Sequence, residues 1–168
     1  ITKIGWGVGG VLIAVLSVFS YRQSLVWAST TALFTHVIET YPDASYVAYN
    51  NLGNSERLNG DLDTAIAHYE QAIAVRPPAK TYTNLGAAYR KKKDYAKATD
   101  AYDKALALDG KSAYAHFGLG IVLAEQGMFD QAELEYMKAL GFKPDYADVY
   151  VNLGALYAAQ SEYDQAIA

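Results

Sequence analysis

The stretch YTNLGAAYRKKKDYAKATDAY, residues 82–102, decides the fold. It sets Leu85-Gly86 and Tyr89 on one helical segment, breaks at Asp94, and resumes with Ala98 and Tyr102 four residues apart. The Leu-Gly pair recurs at Leu52-Gly53, Leu119-Gly120 and Leu153-Gly154, so the glycines lie 33, 34 and 34 residues apart. A fixed period of this size marks stacked helical units, none of which can bury its apolar face alone. Each unit reads as two helices, 46–59 and 62–75 in the first, with Gly60-Asp61 as the turn between them. Asp94, Gly127 and Ser161 mark the next three turns, and Pro77, Gly110 and Pro144 the exits from second helices.

Aromatic and small residues follow the same register. Tyr49, Tyr82, His116 and Tyr150 share one position; Tyr89 and Tyr157 share a later one, from which Glu56 and Leu123 depart. Ala65, Ala98, Ala132 and Ala166 share a third, and Tyr69, Tyr102 and Tyr136 follow the first three of these alanines by four residues. This pattern resembles the tetratricopeptide repeat, with its W-x2-L-G-x2-Y, A-x3-F and P signature over about 34 residues. The resemblance implies an all-α fold, a right-handed superhelix or α-solenoid of antiparallel helix pairs. Glycine and alanine would lie where paired helices touch, and rings would fill the space between pairs. The units are then 46–78, 79–112, 113–146 and an incomplete fourth at 147–168.

Upstream the character changes. From Ile4 to Tyr21 there is no charged residue, and Lys3 and Arg22 bracket the run. An 18-residue helix rises about 27 Å, close to the roughly 30 Å hydrocarbon core of a bilayer. Residues 1–23 are therefore expected to form a transmembrane helix with its flanks, contacting membrane lipid through residues 4–21. Gly5 and Gly9 have the spacing that lets membrane helices pack closely on one another. Residues 24–42 read as an amphipathic connector helix stopped by Pro42. Aligned on the prolines, Trp27, Thr30, Phe34 and Val37 fall on the slots of Leu62, Ala65, Tyr69 and Ala72, so the connector reads as a degenerate half repeat. The expected localisation is the membrane; one basic residue on each flank leaves open which side the repeats face, and the membrane proteins that the helix-to-repeat junction resembles imply the non-cytoplasmic side. The start at Ile1 and the stop at Ala168 within a helical pattern suggest a piece of a longer protein.

Composition narrows the function. The formal charge is −4, and residues 43–168 carry 12 basic and 17 acidic residues, which argues against nucleic-acid binding. There is no cysteine, hence no disulfide framework, thiolate nucleophile or cysteine-based zinc site. His36, His68 and His116 share no metal-ligand spacing; His116 is expected in the core and His68 at the surface. No nucleophile elbow or phosphate loop occurs, so the fragment is expected to be no enzyme, with no cofactor. The run Arg90-Lys91-Lys92-Lys93 is expected to be a solvated helix end whose cations suit the helix dipole.

In the family that the repeats resemble, first helices line a concave surface that holds an extended peptide. Matched positions here are Asn50, Asn51, Asn54 and Arg57, then Lys80, Thr83, Asn84, Arg90 and Lys91. The later units supply Tyr114, Phe117, Ile121, Asp148 and Asn152. Asn51, Asn84 and Asn152 share one position, and carboxamides both donate to and accept from a peptide backbone. The family's clamp for a terminal carboxylate is not expected, because Asn50 and Phe117 stand where basic residues would help. The leading expectation is a membrane-anchored interaction scaffold binding proteins or extended peptides on its concave face. The helix-to-repeat junction resembles polytopic membrane glycosyltransferases with C-terminal tetratricopeptide repeats, which would make this a piece that presents acceptor proteins. A single-span accessory subunit of a larger membrane complex is the third reading.

Overall fold

The computed structural model describes the backbone of residues 30–42 and 45–167, and the side chains of residues 32–42 and 45–161. Eight helices run through the described residues: α1 (Thr30–Thr40), α2 (Ser45–Asn59), α3 (Leu62–Val75), α4 (Ala79–Lys91), α5 (Tyr95–Leu108), α6 (Ala113–Glu125), α7 (Phe129–Phe142) and α8 (Ala147–Ile167). The pairs α2–α3, α4–α5 and α6–α7 pack most extensively, and α3–α4 and α5–α6 join one pair to the next. α1 packs on α2, and α8 on α7. The first helices α2, α4, α6 and α8 also approach one another in turn, whereas the second helices α3, α5 and α7 are not packed together to that extent. An array closed on one side and splayed on the other must bend, so the first helices form its inner layer. This is an all-α solenoid of antiparallel helix pairs.

The turns within the pairs repeat one hydrogen-bonded form. Asp61 N donates to Glu56 O at 2.9 Å, Asp94 N to Tyr89 O at 3.0 Å and Met128 N to Leu123 O at 2.9 Å. One residue earlier, Gly60, Lys93 and Gly127 donate three residues back, to Arg57, Arg90 and Ala124. Together these are the paired bonds that close a helix through a left-handed residue. That residue is Gly60 at φ 88°, Lys93 at φ 61° and Gly127 at φ 76°. Asp61 and Asp94 then cap α3 and α5, accepting from Thr64 N and Lys97 N at 3.3 Å.

Ser161 occupies the same register, yet α8 continues through it to Ile167. The turn expected there does not form, for a local reason. The other turns have either a glycine to turn on or an aspartate to cap with, and Ser161-Glu162 has neither. Lys93 is the one non-glycine left-handed residue among those described. It is exposed and makes no ion pair among the described residues. The left-handed conformation costs an L-residue about 1–2 kcal/mol, against about 0.5–1 kcal/mol for glycine's extra chain entropy. Lys93→Gly is therefore expected to stabilise the fold by about 0.5–1 kcal/mol, measured by urea unfolding.

The core is a column of tyrosines set against small residues. Tyr69, Tyr102 and Tyr136 are buried, as are Ala65 and Ala72, Ala98 and Ala105, and Ala132 and Ala139. Tyr102 packs with Ala98, Ala105, Ala115 and Val122, and so joins the second pair to the third. Its ring leaves no room for a side chain at Gly86 of its own pair or at Gly118 of the next. This column fixes the spacing of α4 and α6, and with it the inner surface between them.

The span expected over residues 4–21, the Gly5 and Gly9 contact and the first part of the 24–42 connector lie outside the described residues. Among the described residues no helix is long and apolar enough to cross a membrane.

Candidate functional site

The inner layer carries a groove of about 550 Å³ between α4 and α6. Ala79, Lys80, Thr83 and Asn84 line it from α4, Tyr114 from α6, and Asp109 and Ser112 from the connecting turn. Local structure sets each group. Asn84 Nδ2 donates to Asn50 Oδ1 at 3.0 Å, which leaves the carbonyl oxygen and a second N–H of Asn84 for a ligand. Thr83 Oγ1 donates to Ala79 O at 3.1 Å and keeps its acceptor capacity. Ser112 Oγ caps α6 by accepting from Ala115 N at 3.3 Å and keeps its donor. Asp109 Oδ1 accepts from Lys111 N at 3.1 Å. Lys80 is exposed and makes no ion pair among the described residues.

Tyr114 is held from outside the groove. Lys143 Nζ donates to its hydroxyl at 3.1 Å and lies 4.9 Å from its ring centroid and 4.5 Å from that of Tyr146. The Tyr114 hydrogen bond raises the pKa of Lys143 above the ordinary lysine value. Burial first, then the Asp148 charge, pushes the Tyr146 phenol up to about 12. Thus the lysine stays cationic and the Tyr146 ring stays neutral at physiological pH, the condition for a cation–π contact.

The other inner-face residues divide into two groups. Asn51 is half-buried and Lys91 and Asp148 are exposed on the inner helices, open to a ligand. Asn50 is buried and accepts from Thr81 Oγ1 at 3.1 Å as well as from Asn84, so it joins the first pair to the second. Asn54 accepts from the Tyr69 hydroxyl at 2.8 Å, and Arg57 Nε donates to that hydroxyl's oxygen at 3.4 Å. Phe117 and Ile121 pack into the core formed by Tyr136, Val149 and Leu153. Asn152 Nδ2 donates to Asp148 O at 2.8 Å. Gly118 interrupts the carboxamide column in the third unit, so Asn51, Asn84 and Asn152 form no continuous ladder.

Two of the four cations in the basic run are tied down, in opposite directions. Arg90 pairs with Glu125 at 2.7 Å on α6, and Lys92 pairs with Asp63 on α3. His68, expected at the surface, is half-buried: its Nδ1 lies 2.7 Å from Glu56 Oε2 and its ring stacks on Tyr49. Glu56, which departs from the tyrosine of its register, makes this contact. His116 stacks on Phe142, with Nδ1 2.6 Å from Glu135 Oε2 and Nε2 3.3 Å from Gly110 O. Sequence reasoning missed Asp109, Ser112 and Lys143. A serine directly before the apolar run from Ala113 was the available signal for Ser112, as a helix cap.

A family model described as tetratricopeptide repeat matches residues 44–111 and 77–145. The chain belongs to the tetratricopeptide repeat family. Among curated relatives, anaphase-promoting complex subunit 3 of Schizosaccharomyces pombe is 36% identical over 91 residues, 54% of this chain and 14% of that protein. Among solved structures, MamA superposes with a TM-score of 0.69 at 24% identity, over 88% of this chain and 86% of its own. The first tetratricopeptide repeat domain of Spaghetti (RPAP3), bound to an HSP90 peptide, superposes with a TM-score of 0.65 at 22% identity, over 69% and 93%. These likenesses show the shared repeat fold.

The expected membrane localisation is corrected on the described residues. Among the described residues no helix is long and apolar enough to cross a membrane, and the matches are to proteins such as anaphase-promoting complex subunit 3 and the RPAP3 tetratricopeptide repeat domain. Nor do these matches support the membrane glycosyltransferase reading of the junction.

Proposed function

We propose that this tetratricopeptide repeat chain is a protein-interaction scaffold that binds an extended peptide segment of a partner across its inner face, with 46–78, 79–112 and 113–146 as its units. The groove between α4 and α6 carries this reading. It sits on the inner layer and offers Lys80, Thr83, Asn84, Ser112 and Tyr114 with donor or acceptor capacity unspent. An extended peptide presents a backbone donor and acceptor at nearly every residue, and this set answers both. The peptide-bound RPAP3 domain, similar in fold, supports the same use of the surface. Asn51, Lys91 and Asp148 extend the surface along the inner helices; Asn50, Asn54 and Arg57 hold its shape. A binding role, with no catalysis by this chain, fits the side chains gathered here.

The test is to select decamer peptides from a displayed library on the folded chain and measure their affinity by fluorescence polarisation. Tyr114→Ala and Asn84→Ala are each expected to weaken binding about tenfold, the loss of one well-placed contact. Lys104→Ala, on the outer helix α5, is expected to leave affinity unchanged. Selected peptides that bind both inner-face variants at full affinity would show that the groove is not the site.

A further inference from the structure

Charge on the inner layer divides along the array: α6 and α8 carry acidic residues and no Lys or Arg, whereas α2 and α4 together are basic. The inner helices α2 and α4 carry Arg57, Lys80, Arg90 and Lys91 against Glu56 alone. Glu56 is turned toward His68 of α3, away from the inner surface. Of the outer helices, α3 and α7 are net acidic and α5 is neutral. α3 holds Asp63 and Glu70 with no Lys or Arg; α5 balances Asp100 and Asp103 against Lys97 and Lys104; α7 sets Asp130, Glu133 and Glu135 against Lys138. In a chain of net charge −4, the first two units thus present a basic inner strip.

Two of these cations are uncommitted. Lys80 and Lys91 are exposed and make no ion pair among the described residues, whereas Arg57 serves Tyr69 and Arg90 is paired with Glu125. They stand at opposite ends of α4, eleven residues and so about 16 Å apart at about 1.5 Å per residue. A single carboxylate cannot meet both. An extended segment advancing about 3.4 Å per residue spans that distance in about five residues.

Resting on the inner-face reading above, we propose that the bound segment is an internal acidic stretch of the partner protein, with carboxylate side chains about five residues apart that meet Lys80 and Lys91. A chain terminus is not required, because the cations are spread along a helix instead of converging on one point. Both lysines are exposed, so their attraction for carboxylates is screened and selectivity for acidic segments falls as salt rises.

The probes are acetylated and amidated dodecapeptides on one backbone sequence: two glutamates five residues apart, two adjacent glutamates, and glutamines at the first pair of positions. The spaced diacid is expected to bind about tenfold tighter than its glutamine counterpart in low salt and several-fold tighter than the adjacent diacid. Lys80→Ala and Lys91→Ala should each remove several-fold of that advantage while circular dichroism stays unchanged, since both side chains are exposed. Removing the terminal amide should leave affinity as it was. Equal binding of the glutamine and glutamate peptides at the inner face overturns the acidic assignment and leaves the inner-face reading intact. An adjacent diacid as tight as the spaced one, or a large gain from a free C-terminus, overturns the two-lysine geometry. If the spaced diacid competes with peptides that ignore Tyr114→Ala, the inner-face reading itself falls.

Discussion

Tyr102→Ala is expected to lower the unfolding free energy by about 3–5 kcal/mol, the cost of removing a large buried aromatic side chain. Its ring is 2% exposed and joins Ala98 and Ala105 of its own pair to Ala115 and Val122 of the next. In a solenoid each unit is stabilised chiefly by its neighbours, so the loss falls on the coupling between units. Urea unfolding followed by circular dichroism should move to lower denaturant and broaden. A companion variant separates packing from general damage. A Cβ at Gly118 would lie closer than 3.0 Å to the Tyr102 ring, so Gly118→Ala alone should cost about 1–3 kcal/mol by overpacking. In the Tyr102→Ala background the obstacle is gone, and the higher helix propensity of alanine should make the same change stabilising by up to about 1 kcal/mol. Additive effects would show that Tyr102 and Gly118 are not in contact.

That pair also shows what the sequence made legible. Gly86 and Tyr102 are sixteen residues apart and repeat as Gly53 with Tyr69 and Gly120 with Tyr136, so the core column could be read from spacing alone. The period reports contacts that every unit makes. It does not report contacts peculiar to one unit. Nothing in the spacing shows that Asn50, among all the carboxamides, would be buried under Thr81 and Asn84, or that Lys143 would reach back 29 residues to Tyr114. The groove is of this kind: its α4 wall lay on predicted inner positions, while Asp109 and Ser112 come from a turn whose path depends on how α5 and α6 pack. Ser161 failed for the opposite reason. The period placed a turn there, but the local chemistry lacks both the glycine and the aspartate that make the other turns. The apolar run at 4–21 satisfies a length criterion, and it lies outside the described residues.

His116→Tyr is expected to cost about 3 kcal/mol, although tyrosine stands at the same register in the other three units. Glu135 is buried on α7 and accepts from His116, and Lys138 Nζ donates to its other oxygen at 2.7 Å. Removing one partner of a buried charged contact leaves a carboxylate without compensation, typically about 3–5 kcal/mol; Lys138, half-exposed, keeps the cost toward the lower end. Unit two shows how to offset it. Tyr82 is the counterpart of His116 and Ala101 that of Glu135, both 34 residues earlier, and Tyr82 packs on the core that includes Ala101. The double variant His116→Tyr with Glu135→Ala copies that arrangement into unit three. It should recover most or all of the lost stability, because replacing a buried polar pair by well-packed apolar groups is often neutral or stabilising. Glu135→Ala alone should cost about 1–3 kcal/mol, the penalty for a buried imidazole nitrogen left without its acceptor. With the parent chain, the three variants form a double-mutant cycle whose coupling should exceed about 2 kcal/mol. A coupling near zero would mean that His116 and Glu135 are held by other parts of the fold and do not depend on each other.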